Sequence, residues 1–169
     1  MIYLLTGGVR SGKSSYALVL AEKAEKPFYI ATAWAGDHEM EERIKNHKAE
    51  RGERWSTIEE TLKIDEAVEQ AINSDSDCIV IDCITMWVSN LLLDDKTDIN
   101  LHISNLISKL ADIKNIDIIM VTNEVGLGIV PDNELSRKYR DLLGFTNQKL
   151  GKVAGKVIFM ISGIPMNVK

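Results

Sequence analysis

The sequence predicts an α/β fold with a mostly parallel sheet covered by helices on both faces. Three observations predict it. Short apolar runs of strand type alternate along the chain with segments of helical periodicity. The first run, Ile2–Leu5, breaks into Gly7-Gly8-Val9-Arg10-Ser11-Gly12-Lys13-Ser14 where a helical pattern begins. A later apolar run, Cys78-Ile79-Val80-Ile81, ends on the carboxylate of Asp82. Together they describe a P-loop nucleoside triphosphate-binding fold, in which ligands gather beyond the carboxyl ends of the strands.

In chain order, strand-like runs fall at Ile2–Leu5, Phe28–Thr32, Cys78–Ile81, Ile116–Val121 and Lys156–Ile161. Helical periodicity fits Lys13–Glu25, Glu39–Arg51, Ile64–Asn73, Ile99–Ile113 and Glu134–Lys152. Tyr16, Leu20 and Ala24 repeat every fourth residue, an apolar stripe to lie against the sheet. Thr85–Leu92 is mainly apolar and is expected to pack near the sheet edge, with Trp87 reading as structural rather than as a stacking platform. No internal repeat, low-complexity tract or Pro/Gly-rich linker marks a second domain, so residues 1–169 are expected to form one.

Composition narrows the function classes. The formal net charge is −5, basic residues are interspersed with acidic ones, and no aromatic-basic ladder appears. That argues against a nucleic-acid partner. Cys78 and Cys83 flank an apolar segment and read as buried free thiols. The apolar run at the start lacks a preceding basic segment, and no stretch reaches membrane-spanning length, so the expectation is a cytoplasmic protein without an integral membrane segment.

The loop from Gly7 to Ser14 carries the clearest chemistry. Its glycines let successive N–H groups turn toward a phosphate, Lys13 brings positive charge, and Ser14 offers a hydroxyl to Mg²⁺. A mere Gly-rich turn would not explain Lys13-Ser14. Asp82, at a strand end, is the expected Mg²⁺ partner of such a loop, although an Asp there can also cap the next turn. Cys83, not Glu, follows it. No adjacent general base for water is therefore present, which leans toward group transfer over motor-type ATP hydrolysis.

The segment from Asp37 to Arg51 reads as a highly charged helix capped by Asp37, with Met40, Ile44, His47 and Arg51 on one face. A solvated helix with paired surface charges explains it equally well, and His38 reads as a surface or capping-region residue. His47 is a candidate phosphorus nucleophile when neutral, with Arg43 four residues before it. Past the Ile116–Val121 run, Gly126 and Gly128 permit a tight loop, and Glu124 suits a metal, a ribose, a catalytic group or loop ordering. Arg137 and Arg140 suit phosphate clamps or ordinary helix ion pairs. The N-K-x-D guanine signature of switch GTPases is absent from this region.

Over essentially its whole length the chain resembles the bifunctional adenosylcobinamide kinase/adenosylcobinamide-phosphate guanylyltransferase family. The resemblance runs through Thr6–Ser14, Tyr29–Ala33 and Asp37-His38-Glu39-Met40, then Arg43-Ile44 and His47. It continues through Trp55, Thr57, Glu59-Glu60, Asp82–Trp87, Asn90, Asn123–Pro131, Arg137, Arg140-Asp141, Asn147-Gln148 and Gly163-Ile164-Pro165. Val9, Thr61 and Gly155 depart from common versions, and Gly155 is expected to loosen the start of the last strand.

The resemblance implies phosphorylation of the aminopropanol hydroxyl of adenosylcobinamide by ATP or GTP, with Mg²⁺. GMP then passes from GTP to adenosylcobinamide phosphate, giving adenosylcobinamide-GDP and pyrophosphate. It implies His47 as the guanylylated nucleophile and Lys13 as its catalytic companion. Nucleotide contacts fall to Gly7, Gly8, Val9, Arg10, Ser11, Gly12, Lys13, Ser14, Glu59 and Asp82, and metal contacts to Ser14 and Asp82. It also implies a homotrimer with pockets near subunit boundaries. Two alternatives remain open: a kinase-only corrinoid enzyme, and a non-catalytic GTP-binding regulatory protein.

Overall fold

A computed structural model describes residues 1–33, 52 and 54–169. The predicted helix Glu39–Arg51, with Arg43 and His47, lies outside them, as do Asp37 and His38. Strand β1 (Ile2–Gly7) leads through the glycine-rich loop into α1 (Lys13–Leu20) and then β2 (Pro27–Ala31). After β3 (Ser56–Glu59) come α2 (Ile64–Asn73), β4 (Cys78–Asp82), α3 (Ile84–Leu93), α4 (Ile99–Asp112) and β5 (Asp117–Val121). A short 3-10 turn (Val125–Leu127), α5 (Glu134–Val153), β6 (Lys156–Ile161) and β7 (Ile164–Asn167) follow.

The described strands form one sheet in the order β3-β2-β4-β5-β1-β6-β7. Every pairing is parallel except β6 with β7, as expected for strands joined by helical crossovers and one closing hairpin. Register aligns Leu5 with Val121, Val121 with Asp82, Asp82 with Ala31, and Ala31 with Glu59. One rung thus crosses the sheet at its carboxyl edge. Because β5 lies between β1 and β4, whatever leaves Val121 stands between the glycine-rich loop and Asp82.

Strand alternation divides the core. Leu4, Ile30, Ile79, Ile81, Ile118 and Met120 face one side, where Val68, Trp87, Leu106 and Leu150 from the four longer helices cover them. Leu5, Tyr29, Val80, Ile119, Val121 and Met160 face the other side, against Ala17 and Ala21. Helix α1 is shorter than its periodicity predicts; Ala17 within it and Ala21 just past its end are fully buried, with Tyr16, Leu20 and Ala24 partly buried beside them. Small side chains let α1 approach the sheet. Its early end has a tertiary cause: the Arg54 guanidinium takes the carbonyls of Glu22 (2.8 Å), Ala24 (3.3 Å) and Ala21 (3.4 Å). Asp77 then accepts from the Glu25 and Lys26 amides at 2.7 and 3.0 Å, turning the chain into β2.

Two strands escape the apolar pattern. In β3 only Ile58 is even partly buried, and every residue of β7 is exposed. Both are edge strands held by backbone pairing rather than by a buried face. The apolar run after Asp82 forms α3, with Cys83 Sγ accepting from the Met86 amide at its start. Trp87 is fully buried and donates through Nε1 to Leu62 O at 2.7 Å, which makes it structural as expected. Burying such a side chain with its N–H satisfied contributes several kcal/mol (about 3–5 lost on truncation to Ala). Cys78 and Cys83 are both free thiols, Cys78 buried as expected and Cys83 half-buried. Gly155 tightens rather than loosens the approach to β6: its amide donates to Ile2 O at 2.9 Å, and a Cβ there would stand 2.6 Å from Met1 Sδ.

Candidate nucleotide site

The loop after β1 is shaped by close approach. Gly7 has φ +143°, and a Cβ on it would stand 2.5 Å from the backbone oxygen of Met160 on β6. Gly12, at φ +90°, turns the chain into the first residue of α1. Lys13 is buried and its ammonium donates to Gly7 O (3.2 Å), Gly8 O and Ser11 Oγ (3.3 Å). It therefore lies along the cradle, where incoming phosphate oxygens can exchange with these acceptors. Burial lowers its pKa, while nearby Cys83 and Asp82 pull in the opposite direction. Val9 and Arg10 form the exposed rim, and Ser14 stands half-buried in the first turn of α1.

The far hairpin braces the same loop. Ser162 and Gly163, the two residues joining β6 to β7, both have positive φ (51° and 84°), the requirement of a type I′ connection. The Gly163 amide donates to Ser11 O at 3.0 Å.

Asp82 is held from two sides. Tyr29 Oη donates to Asp82 Oδ2 at 2.8 Å. The Thr32 hydroxyl donates to Cys83 O at 2.7 Å and accepts from Cys83 N at 2.8 Å, and the Asp82–Cys83 peptide is cis. Burial, with Asp82 beside it, pushes the Cys83 thiol up to about 12. Asn90 of α3 donates to Thr32 O and Thr61 O at 2.9 and 3.1 Å, tying the β2 and β3 ends together. Glu59 stands exposed at the end of β3, in register with Ala31.

Between loop and Asp82, the segment leaving β5 builds a polar network. Thr6 Oγ1 donates to Glu124 Oε1 at 2.7 Å, and the Glu124 amide donates to Gly7 O at 3.3 Å. Asn147 of α5 donates to Asn123 O (3.0 Å) and Glu124 Oε1 (3.4 Å), and accepts from Thr122 Oγ1 (2.8 Å). Thr85 receives the Asn123 amide at 2.8 Å and meets the Thr122 hydroxyl at 3.3 Å. Buried polar groups satisfied in this way hold the carboxyl edge rigid.

The structure thus gathers Gly7–Ser14, Asp82, Glu59 and Glu124 along one sheet edge; His47 lies outside the described residues. Among the described residues no cluster of three His, Cys, Asp or Glu side chains forms a ready-made metal cage. Arg137 donates to the carbonyls of Pro131 (3.0 Å) and Asp132, fixing the loop before α5, and Arg140 Nε lies 3.6 Å from the Asp141 carboxylate. Thr6, Tyr29, Thr32 and Asn147 acquire their roles only here, since their partners are distant in sequence.

Known proteins resemble this chain in fold and in sequence. In overall fold the chain is similar to a prototypical ATPase of the type III secretion system of pathogenic bacteria, with TM-score 0.55 and 7% identity over 94% of this chain and 50% of the other. It is likewise similar to protein PH0250 of Pyrococcus horikoshii OT3, with TM-score 0.53 and 8% identity over 99% and 85% of the two chains. Sequence relatives are much nearer. The bifunctional adenosylcobalamin biosynthesis protein CobU of Escherichia coli is 38% identical, covering 100% of both chains. CobP of Pseudomonas aeruginosa, with the same bifunctional description, is 42% identical over 98% of this chain and 96% of its own. The family profile CobU, described as cobinamide kinase / cobinamide phosphate guanyltransferase, matches residues 3–168. From Tyr3 to Val168, therefore, this chain belongs to the cobinamide kinase / cobinamide phosphate guanyltransferase family.

Proposed function

We propose that this chain is a bifunctional transferase of cobalamin biosynthesis, a single domain carrying both activities. It phosphorylates adenosylcobinamide from ATP or GTP, then transfers GMP from GTP to adenosylcobinamide phosphate, releasing pyrophosphate. The observation that carries the reading is the braced Gly7–Ser14 cradle, with buried Lys13 and the Tyr29-held carboxylate of Asp82 on one edge, in a chain of this family.

The site's residues divide the work. Backbone N–H groups of the loop and the Lys13 ammonium offset triphosphate charge as it shifts onto the leaving group. Ser14 Oγ and the Asp82 carboxylate are hard oxygen donors at the same edge, a set that suits Mg²⁺ with water completing its shell. Tyr29 restricts the Asp82 carboxylate to one orientation, which fits that use. The bound ion would neutralise phosphate charge. In this reading Glu59, exposed at the end of β3, contacts the nucleotide.

His47 supplies the guanylyl-transfer nucleophile in this reading. Its imidazole attacks the α-phosphorus as pyrophosphate leaves, and adenosylcobinamide phosphate then displaces the histidine. The exposed Leu127, Ile129 and Val130 beside the site support a subunit contact there, consistent with a homotrimer. Among the described residues no helix is long and apolar enough to cross a membrane. A cytoplasmic setting would supply both triphosphates.

The test is covalent labelling. With GTP labelled at the α-phosphate and Mg²⁺, wild type should take up acid-labile label and His47→Asn should not. Adenosylcobinamide phosphate should chase the label into adenosylcobinamide-GDP. GTP binding without label on wild type would instead leave a kinase-only or regulatory protein.

A further inference from the structure

Phosphorylating a hydroxyl requires a group to receive its proton, and the residue after Asp82 is Cys83, whose Sγ is turned to the Met86 amide at the start of α3. The topology supplies a carboxylate from another strand. Strand β5 runs between β1 and β4, so the chain leaving Val121 passes between the phosphate cradle and Asp82. Glu124 sits there, half-buried, its amide bonded to the first glycine of the loop. Its two carboxylate oxygens are unequal. Oε1 accepts from both Thr6 Oγ1 and Asn147 Nδ2, whereas Oε2 takes no hydrogen bond from the described residues. One oxygen anchors the group, and the other is left for an incoming partner.

We propose that Glu124 is the general base of the phosphorylation step, an inference that rests on the kinase reading above. The acceptor hydroxyl oxygen forms its bond to the γ-phosphorus while the bond from that phosphorus to the bridging oxygen breaks. The electron pair departs with the nucleoside diphosphate, and the hydroxyl proton passes to Glu124 and from there to solvent. Thr6 and Asn147 are positioning residues that keep Oε2 turned toward the acceptor. Guanylyl transfer makes no such demand, because its acceptor is already an ionised phosphate.

Glu124→Gln tests this with little change in shape, since the amide oxygen can still accept from Thr6 and Asn147. Steady-state phosphorylation of adenosylcobinamide should fall about 10²–10⁴-fold in kcat. GTP binding, measured by calorimetry, should stay within about threefold, as should GMP transfer to pre-made adenosylcobinamide phosphate, because a lost base leaves both untouched. Glu124→Asp, which keeps the carboxylate on a shorter arm, should recover part of the kcat. Wild-type phosphorylation by Glu124→Gln would overturn the proposal. Equal loss of both activities, or of GTP binding, would also overturn it, by making Glu124 structural. Absence of phosphorylation in wild type, with labelling intact, would instead strike the kinase reading itself.

Discussion

The amide of Gly163 donates to the carbonyl of Ser11 at 3.0 Å, so the last hairpin of the chain holds the phosphate cradle of the first loop. The positive φ of Gly163 (84°) makes that bond possible, and a Cβ there would meet nothing within 4 Å. Gly163→Val therefore brings backbone strain without a clash. It should lower stability by about 1–2 kcal/mol and weaken GTP binding several-fold, with thermal unfolding and calorimetry as the readouts. Unchanged affinity would mean that the cradle keeps its shape without the hairpin.

Gly7 and Gly8 should behave in opposite ways. A Cβ on Gly7 would press against the Met160 backbone at 2.5 Å, whereas one on Gly8 meets nothing within 4 Å. Gly7→Ala must shift β6 or the loop, and should cost roughly 2–4 kcal/mol and most nucleotide binding. Gly8→Ala should stay within about 0.5 kcal/mol of wild type in urea unfolding.

Lys13 gives a pH signature. Burial depresses its pKa, and a bound triphosphate favours the charged ammonium, so binding should take up protons in alkaline solution. Affinity is full below the pKa of the free protein and declines as pH rises through it, starting below the ~10.4 of an exposed lysine. Calorimetry in two buffers of different ionisation enthalpy reads the proton uptake directly. Lys13→Ala should remove this dependence and impair both reactions. A pH-independent affinity in wild type would show that Lys13 is not a phosphate contact.

Both cysteines should resist alkylation. Burial, with Asp117 near Cys78 and Asp82 near Cys83, pushes each thiol up to about 12. Thiolate is scarce at neutral pH, so iodoacetamide should leave the native protein unmodified and label both sites after denaturation, as counted by mass spectrometry. Rapid labelling of native Cys83 would mean that the β4–α3 junction opens readily.

The glycine loop, its Lys13-Ser14, the Asp82 strand end and the alternation of β and α segments are local signals. Each arises from a few consecutive residues whose conformation and chemistry depend little on distant partners, so the fold class and the candidate phosphate loop were legible in the sequence. Strands β3 and β7 were not, because an edge strand without a buried face leaves no apolar period to read. The end of α1 was equally invisible: Arg54 takes the carbonyls of Ala21 and Glu22 from more than 30 residues away.

Tertiary structure decided which polar residues act together. Thr6 and Glu124 are 118 positions apart and Tyr29 and Asp82 are 53 apart, yet each pair is in hydrogen-bonding contact. Nothing local distinguishes Glu124 from any other loop carboxylate. Its place between cradle and Asp82 follows from β5 inserting between β1 and β4, a consequence of strand order. Sequence by itself determined the kind of fold and the phosphate-binding chemistry, because these depend on short-range pattern. The strand order and the partners along the carboxyl edge came only with the folded sheet, because those contacts form between segments that the chain itself keeps far apart.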